Sequence, residues 1–241
     1  MACHFSRWAI SENEPDTRRL SADLVSSTLA FSPKRRQRFL HSRALLGEMM
    51  FYLYGMNTLP KIITAPNGRP CFAESNLPDF SLAYAGNTIA VVLSSEGKVG
   101  LDIEVIRARS GQITEKQNQF LTPAERAWID AQIDPLEAAT QLWCIRQSVL
   151  KLAGLGTNGL DTLRLHPASG RLRSTITQDV QVMSDTDNLI AWGCAHTPTL
   201  ARLVLWNYHP EQGFTRTQDL SIQQQSSSNR YMKFTSLPPT K

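Results

Sequence analysis

Apolar positions along this chain follow two rhythms, and the switches between them mark out its elements. From Ser32 onward, Phe39, Leu45, Leu46, Met49, Met50 and Leu53 recur three and four positions apart, the period of one helix face. Ser32-Pro33 supplies an N-cap and a first-turn proline, and Gly55 a C-cap, so the spacing predicts a helix over residues 33–54. A short strand, 5–10, precedes it. The stretch 56–80 carries Pro60, Pro66-Asn67-Gly68-Arg69-Pro70 and Pro78 and reads as loop. Residues 80–84 and 89–94 then read as strands joined across Ala85-Gly86-Asn87, and Ser95-Glu96-Gly97-Lys98 turns the chain into a third strand, 99–106. Three strands with tight turns predict an antiparallel meander packed on the preceding helix.

The second half repeats this order. Polar residues 107–114 read as a linker or crossover. Thr122-Pro123-Ala124-Glu125 has the spacing of a capping box, Pro135 ends that helix, and a longer one over about 136–153 stops at Gly154. Segments 160–165, 180–183, 189–195 and 203–208 follow as strands. Helix-then-strands therefore occurs twice, in an N-terminal half (1–106) and a C-terminal half (107–220), without a residue-level repeat. The Gln/Ser-rich tail, 221–241, is expected to be disordered.

Composition adds bounds. With 241 residues, 41% hydrophobic and 19% charged, the chain has the make-up of a soluble globular protein. A net charge of +4 suits an anionic ligand or acidic partner and is too small to imply nucleic acid. Lys34, Arg35, Arg36, Arg38 and Arg43 concentrate on the first long helix, where Arg36 and Arg43 share a face; a solvated helix face would account for them equally. Four scattered cysteines lack metal-site spacing, and neither a leader nor a long apolar span is evident, so a cytoplasmic protein that does not enter membranes is expected.

The chemistry starts on the strand 99–106. Asp102 and Glu104 share one face, while Val99, Leu101, Ile103 and Val105 share the other. Adjacent carboxylates repel, and a hard cation such as Mg²⁺ would relieve that. A solvent-facing pair on an edge strand is the alternative. On the second long helix Trp143, Gln147 and Lys151 stand one turn apart along one stripe. Arg146 and Lys151 bring positive charge towards its C-terminal end, which also suits the helix dipole, and Trp143 also suits core packing.

Together, Gly100-Leu101-Asp102-Ile103-Glu104 and Trp143-Cys144-Ile145-Arg146-Gln147-Ser148-Val149-Leu150-Lys151 resemble the two signature motifs of the 4′-phosphopantetheinyl transferases. The closest likeness is to the large, Sfp-type class, including the holo-acyl-carrier-protein synthase type. Asn67-Gly68-Arg69-Pro70 is similar to that family's G-K/R-P turn, and Phe120-Leu121-Thr122-Pro123-Ala124-Glu125 to its F-[ST]-x-x-E segment. The resemblance implies an α+β, pseudo-two-fold fold of two similar halves, each with a small antiparallel sheet and a long helix, and a site in the cleft between them. It implies Mg²⁺-dependent transfer of 4′-phosphopantetheine from coenzyme A to a serine of an apo acyl or peptidyl carrier protein by a monomeric enzyme. Asp102 and Glu104 would be metal ligands, Lys151 a phosphate-contacting or acid group, and Arg43 and Arg69 contacts for the coenzyme A nucleotide, with Lys34, Arg35 and Arg36 near its 3′-phosphate.

Two departures from the family pattern stand out. Its helix motif is W-[ST]-x-K-E-[AS]-x-x-K; here Arg146 replaces the lysine and Gln147 the glutamate. A glutamine keeps a carbonyl oxygen but is no base near neutral pH, and loss of a general base costs on the order of 10²–10⁴ in rate. The family's N-[IL]-S-H-S-G loop reads Ser81-Leu82-Ala83-Tyr84-Ala85-Gly86, which leaves the Tyr84 hydroxyl for phosphate contact. Two readings follow. One is an active transferase, slow or tuned to one carrier. The other is a silent relative that binds a carrier protein or another biosynthetic partner without modifying it. Retention of both carboxylates favours the first.

Overall fold

A computed structural model describes residues 2–10, 14–108, 110–177, 179–187, 189–221 and 230–238. Its elements are β1 (Cys3–Ala9), α1 (Ala22–Ser26), α2 (Pro33–Tyr54), β2 (Ile62–Thr64), β3 (Pro70–Phe72), β4 (Asp79–Ala85), β5 (Thr88–Ser94) and β6 (Val99–Val105). They continue with α3 (Gly111–Asn118), α4 (Pro123–Asp130), α5 (Pro135–Ala153), β7 (Leu163–His166), β8 (Arg171–Ser174), β9 (Gln181–Thr186), β10 (Ile190–His196), β11 (Arg202–His209), β12 (Gly213–Ser221) and β13 (Met232–Thr235). Most local stop and start signals act as their chemistry requires, although Ser32, at the N-cap position of α2, makes no side-chain cap hydrogen bond and the start rests on Pro33. Gly55 and Gly154 close α2 and α5 with φ of 70° and 75°, conformations that only glycine adopts cheaply, and the Thr122/Glu125 capping box opens α4.

One sheet runs β12-β11-β1-β5-β4 and the other β6-β10-β9-β13-β8-β7; β2 and β3 form a separate ribbon. Three apolar layers glue them. Leu40, Leu45, Met49 and Met50 of α2 pack on Trp8, Phe80, Ile89, Val91 and Leu93 of the first sheet. Leu142, Ile145, Val149 and Leu152 of α5 pack on Leu163, Leu165, Val182 and Phe234 of the second. Between the sheets, Phe5, Ala83 and Val92 meet Leu101, Ile103, Trp192 and Cys194, with the Phe5 and Trp192 rings 5.3 Å apart. The order is helix, sheet, sheet, helix, an α+β architecture of two sheets with one long helix each.

Several details depart from the sequence reading. No three-strand meander forms: β4 and β5 pair, but β6 leaves and pairs antiparallel with β10. The β4 edge meets β6 through side chains instead, as the Val99 N–H donates to Asp79 Oδ2 (2.8 Å) and the Leu101 N–H to Ser81 Oγ (3.0 Å). Strand membership crosses position 106 both ways, since β6 joins the second sheet while β11 and β12 join the first, β11 running parallel to β1. The presumed linker holds α3, and the presumed loop 56–80 holds β2 and β3. The tail, expected to be disordered, contributes β13, which lies between β9 and β8 because Phe234 buries its ring in the second sheet's core. Residues 222–229 and 239–241 of that tail lie outside the described residues.

Candidate active site

The seam between the sheets carries the residues of interest. Alternation along β6 sends Leu101 and Ile103 between the sheets, and Gly100, Asp102 and Glu104 towards α5. The helix lies unusually close. A Cβ on Gly100 would meet the Ser148 carbonyl oxygen at 2.1 Å, and one on Gly193, the β10 partner of Asp102, would meet that of Cys144 at 2.7 Å. This contact sets Lys151 over β6, and its Nζ stands 2.7 Å from Asp102 Oδ1 and 3.5 Å from the Leu82 carbonyl oxygen. Cys144 reaches the carbonyl of Ala191, the partner of Glu104, and Gln147 is half-buried about one turn further along α5. Asp102 is buried and Glu104 half-buried.

Lys151 faces a cleft of about 420 Å³ lined by Asn67–Pro70, Phe80–Leu82 and Gly154–Gly156. Pro70 and Leu82 also border a second cavity of about 480 Å³, whose wall carries Lys34, Arg35, Arg38, Arg43 and Tyr84 and, among the described residues, no acid. Its cations are braced by rings: Arg35 over Phe31 (4.0 Å), Arg43 over Phe39 (4.0 Å) and Arg38 over Tyr84 (5.1 Å). Burial draws the Arg43 guanidinium down to about 10, with nearby Tyr84 opposing the fall, so it keeps its charge at neutral pH.

Other expected residues sit elsewhere. Arg146, read as a possible cation of the site, faces away from the cleft. It is buried against Glu125 (2.5 Å) and the Leu163 carbonyl (2.6 Å) because its neighbours on α5 leave it on the core side. Trp143 borders a separate cavity with Ile113, Phe120 and Leu160. Arg36 turns to Glu14 and Thr28. Arg69 does line the cleft, but its guanidinium grips both oxygens of Asp79 (2.7 and 2.5 Å) and the carbonyls of Phe80 and Val99, tying β4 to β6. Asp79, Ser81 and Asn67, whose amide reaches the Ala153 carbonyl at 3.4 Å, shape this seam and were missed by motif reading. The one hint was the Asn67-Gly68 turn.

Residues 98–197, from the turn before β6 to the end of β10, match the family model described as "4'-phosphopantetheinyl transferase superfamily". The chain is 38% identical to "Uncharacterized protein YieE" of Escherichia coli (strain K12), across 100% of this chain and 98% of that protein. It is 30% identical to "4'-phosphopantetheinyl transferase AcpT" of Salmonella typhi, across 56% of this chain and 68% of that protein. With the AcpT of Escherichia coli (strain K12) the identity is 37%, across 50% of this chain and 59% of that protein. The chain belongs to the 4′-phosphopantetheinyl transferase superfamily. Phosphopantetheinyl transferases use coenzyme A and typically a divalent metal ion, and they act on carrier proteins.

The donor set here suits a hard cation of that kind. Asp102 and Glu104 offer two carboxylates on one face, and the Gln147 amide lies on the neighbouring turn. Mg²⁺ is held in just this way, by one or two carboxylates completed with water and substrate phosphates. Among the described residues no group of three or more His, Cys, Asp or Glu could hold a metal ion.

Proposed function

We propose that this phosphopantetheinyl transferase moves 4′-phosphopantetheine from coenzyme A to a serine hydroxyl of an apo acyl or peptidyl carrier protein, as a large-class, Sfp-type member using Mg²⁺ at Asp102 and Glu104. The observation that carries the reading is the contact of Lys151 with Asp102 at a cleft that adjoins an acid-free basin of four cations. Coenzyme A has a phosphorylated nucleotide at one end and a diphosphate next to it. The basin offers Lys34, Arg35, Arg38 and Arg43 to the nucleotide's phosphates and Tyr84 beside them; Lys151 offers its ammonium to the diphosphate. Arg69 acts on the nucleotide at second hand, by fixing the wall of the cleft through Asp79.

In the reaction the serine oxygen bonds to the β-phosphorus, the bond from that phosphorus to the bridging oxygen breaks, and adenosine 3′,5′-bisphosphate leaves. Mg²⁺ bound at the two carboxylates would supply charge neutralisation for the phosphoryl oxygens. Lys151 stabilises the same developing charge from α5 at no cost of reorganisation, because the helix is pinned to the sheet at Gly100 and Gly193. Gln147 orients through its amide but takes no proton at neutral pH, so the serine proton passes to a phosphate oxygen or to water. We place the protein in the cytoplasm as a monomer, in keeping with four free cysteines and with the absence, among the described residues, of a helix long and apolar enough to cross a membrane.

The test is direct. Purified protein, Mg²⁺, coenzyme A and a panel of apo carrier proteins are incubated, and the carriers are weighed intact by mass spectrometry. Phosphopantetheine on at least one carrier, lost with Asp102→Ala, is the expected result. The Gln147 amide and the Tyr84-Ala85 loop favour a second reading, a relative that binds a carrier without modifying it. Carriers that bind but stay unmodified would establish that reading and sink the transferase.

A further inference from the structure

The far edge of the second sheet carries charge that the transferase reading does not use. In the hairpin of β7 and β8, Leu163, Leu165 and Leu172 face the core under α5. Strand alternation then sends Arg164, His166, Arg171 and Arg173 to the opposite face. The register sets Arg164 directly across from Arg173, and His166 across from Arg171. Like charges facing each other across two strands are destabilising, so the hairpin gains no stability from this choice. Among the described residues no carboxylate pairs with any of the four. Arg164 Nη1 donates instead to the carbonyls of Asp161 (2.7 Å) and Leu163 (3.3 Å).

Three of these side chains gather around a cavity. His166, Arg171 and Arg173 line a space of about 360 Å³ together with Ser169, Leu172 and Ser236, and no acid stands on its wall. The frame around it is pinned. Gly170 turns the hairpin with a φ of 61°, and its carbonyl accepts the Thr235 N–H at 3.0 Å. Ser236 Oγ accepts the Val180 N–H at 2.8 Å, which holds the rim beyond β13. Both wall hydroxyls donate only long bonds, Ser169 to the His166 carbonyl and Ser236 to that of Val180, each at 3.2 Å. Either can turn to a stronger acceptor. Two guanidinium forks beside two hydroxyls match the oxygens of a phosphate group, and the volume is that of a small-molecule site. A segment of an acidic protein would lie across the whole face and use Arg164 as readily as Arg171, whereas the cavity singles out Arg171 and Arg173.

We propose that this cavity is a second anion site, which binds a phosphate group, free or on a small ester, through Arg171 and Arg173. β8 lies four strand spacings from β6 in the same sheet, about 19 Å, so the site is separate from the cleft at Asp102 and Lys151. It needs neither coenzyme A nor metal nor carrier protein, and it stands whether or not the chain is an active transferase. A bound phosphate offsets the repulsion within the hairpin, and the Gly170–Thr235 bond passes that gain to β13.

Inorganic phosphate serves as the probe, added to the full chain at constant ionic strength while NMR follows the backbone amides. Signals of Ser169, Gly170, Arg171 and Ser236 should shift saturably with one dissociation constant. Signals around Arg38 and Arg43 report phosphate taken by the basin and are fitted separately. Arg171→Gln should weaken the hairpin site about ten- to a hundredfold, as loss of a charged hydrogen bond does, and leave the basin signals as they were. Arg173→Gln is the second variant should the first misfold, as judged by circular dichroism. Arg164→Gln removes the same charge from the same face but outside the wall, and should weaken binding less than about threefold at roughly 0.15 M salt. Glycerol phosphate binding more tightly than inorganic phosphate would show that the group arrives on an ester; equal or weaker binding would point to the free ion. No saturable shift in the hairpin would overturn the site. So would equal losses in Arg164→Gln and Arg171→Gln, the mark of a diffuse charged face, or a glutamate-rich peptide that shifts these amides where phosphate does not.

Discussion

Neighbouring residues on α5 answer to different parts of the molecule, because successive side chains point about 100° apart around a helix. Position 146 faces the core, and position 147 is half-buried. Gln147→Glu restores a group able to accept the serine proton, and should raise the transfer rate by up to the 10²–10⁴ that general bases provide, read as initial rates of carrier modification. An unchanged rate would mean the proton leaves by a route that ignores position 147. One residue earlier the stakes are structural. Glu125 takes Arg146 at 2.5 Å and also accepts the N–H groups of Thr122 and Leu165, so Glu125→Ala strands a buried guanidinium and should cost about 3–5 kcal/mol in urea unfolding. Arg43 shows the reverse balance. Its guanidinium is drawn down to about 10 by burial, so between about 10 and the ordinary arginine value the unfolded chain holds a proton that the folded one has shed, and stability gains with rising pH only in that window. At neutral pH the burial cost is fully present and an anion relieves it. Arg43→Met should therefore leave the melting temperature of the ligand-free protein unlowered, yet weaken coenzyme A by about 1.5–3 kcal/mol in calorimetry.

At the scale of elements, the crossing of α5 over β6 and β10 fixes the site. Gly100→Ala would push a methyl against the Ser148 carbonyl, 2.1 Å away, and lift the helix from the strand. Overpacking of this kind costs typically 1–3 kcal/mol, and here it should also part Lys151 from Asp102; the midpoint of thermal unfolding and the affinity for Mn²⁺ report the two effects separately. What was legible in the sequence at this scale was local. Caps at Gly55, Gly154 and Thr122/Glu125 are written in a few adjacent residues, and both long helices follow from the spacing between them. The destination of β6 was not legible, since alternation shows which side chains face inward but is silent about which strand lies alongside. Asp102, Glu104 and Lys151 could be picked out as motifs, whereas the contact of Lys151 with Asp102 depends on two glycines in different strands. Arg146 misled because a charged residue is usually solvated, and its acid lies twenty-one positions away. Met232 and Phe234 were overlooked for a plainer reason: two apolar residues at strand spacing are faint beside a run of glutamine and serine.

The molecule as a whole is held by segments from both ends of the chain. Phe234, from β13, is buried among Leu163, Leu165 and Val182, so Phe234→Ala should cost about 3–5 kcal/mol in denaturant. Ending the chain after Ser221 should do the same more severely, because β9 and β8 lose the strand between them. A wider consequence follows from β1. Its two neighbours are β5, which ends at Ser94, and β11, which starts at Arg202. On a ribosome adding about 5–20 residues per second, the stretch from Ser94 to Arg202 takes roughly 5–20 s, and β1 waits that long with β5 made and its second neighbour still missing. Throughout that interval a strand of Cys3, Phe5 and Trp8 shows one bare edge to the cytosol, where a strand from another nascent chain would fit as well as its own. Making the first half alone would prolong that exposure indefinitely. The two halves are therefore a single product of synthesis, and the last strands to emerge close the first ones made.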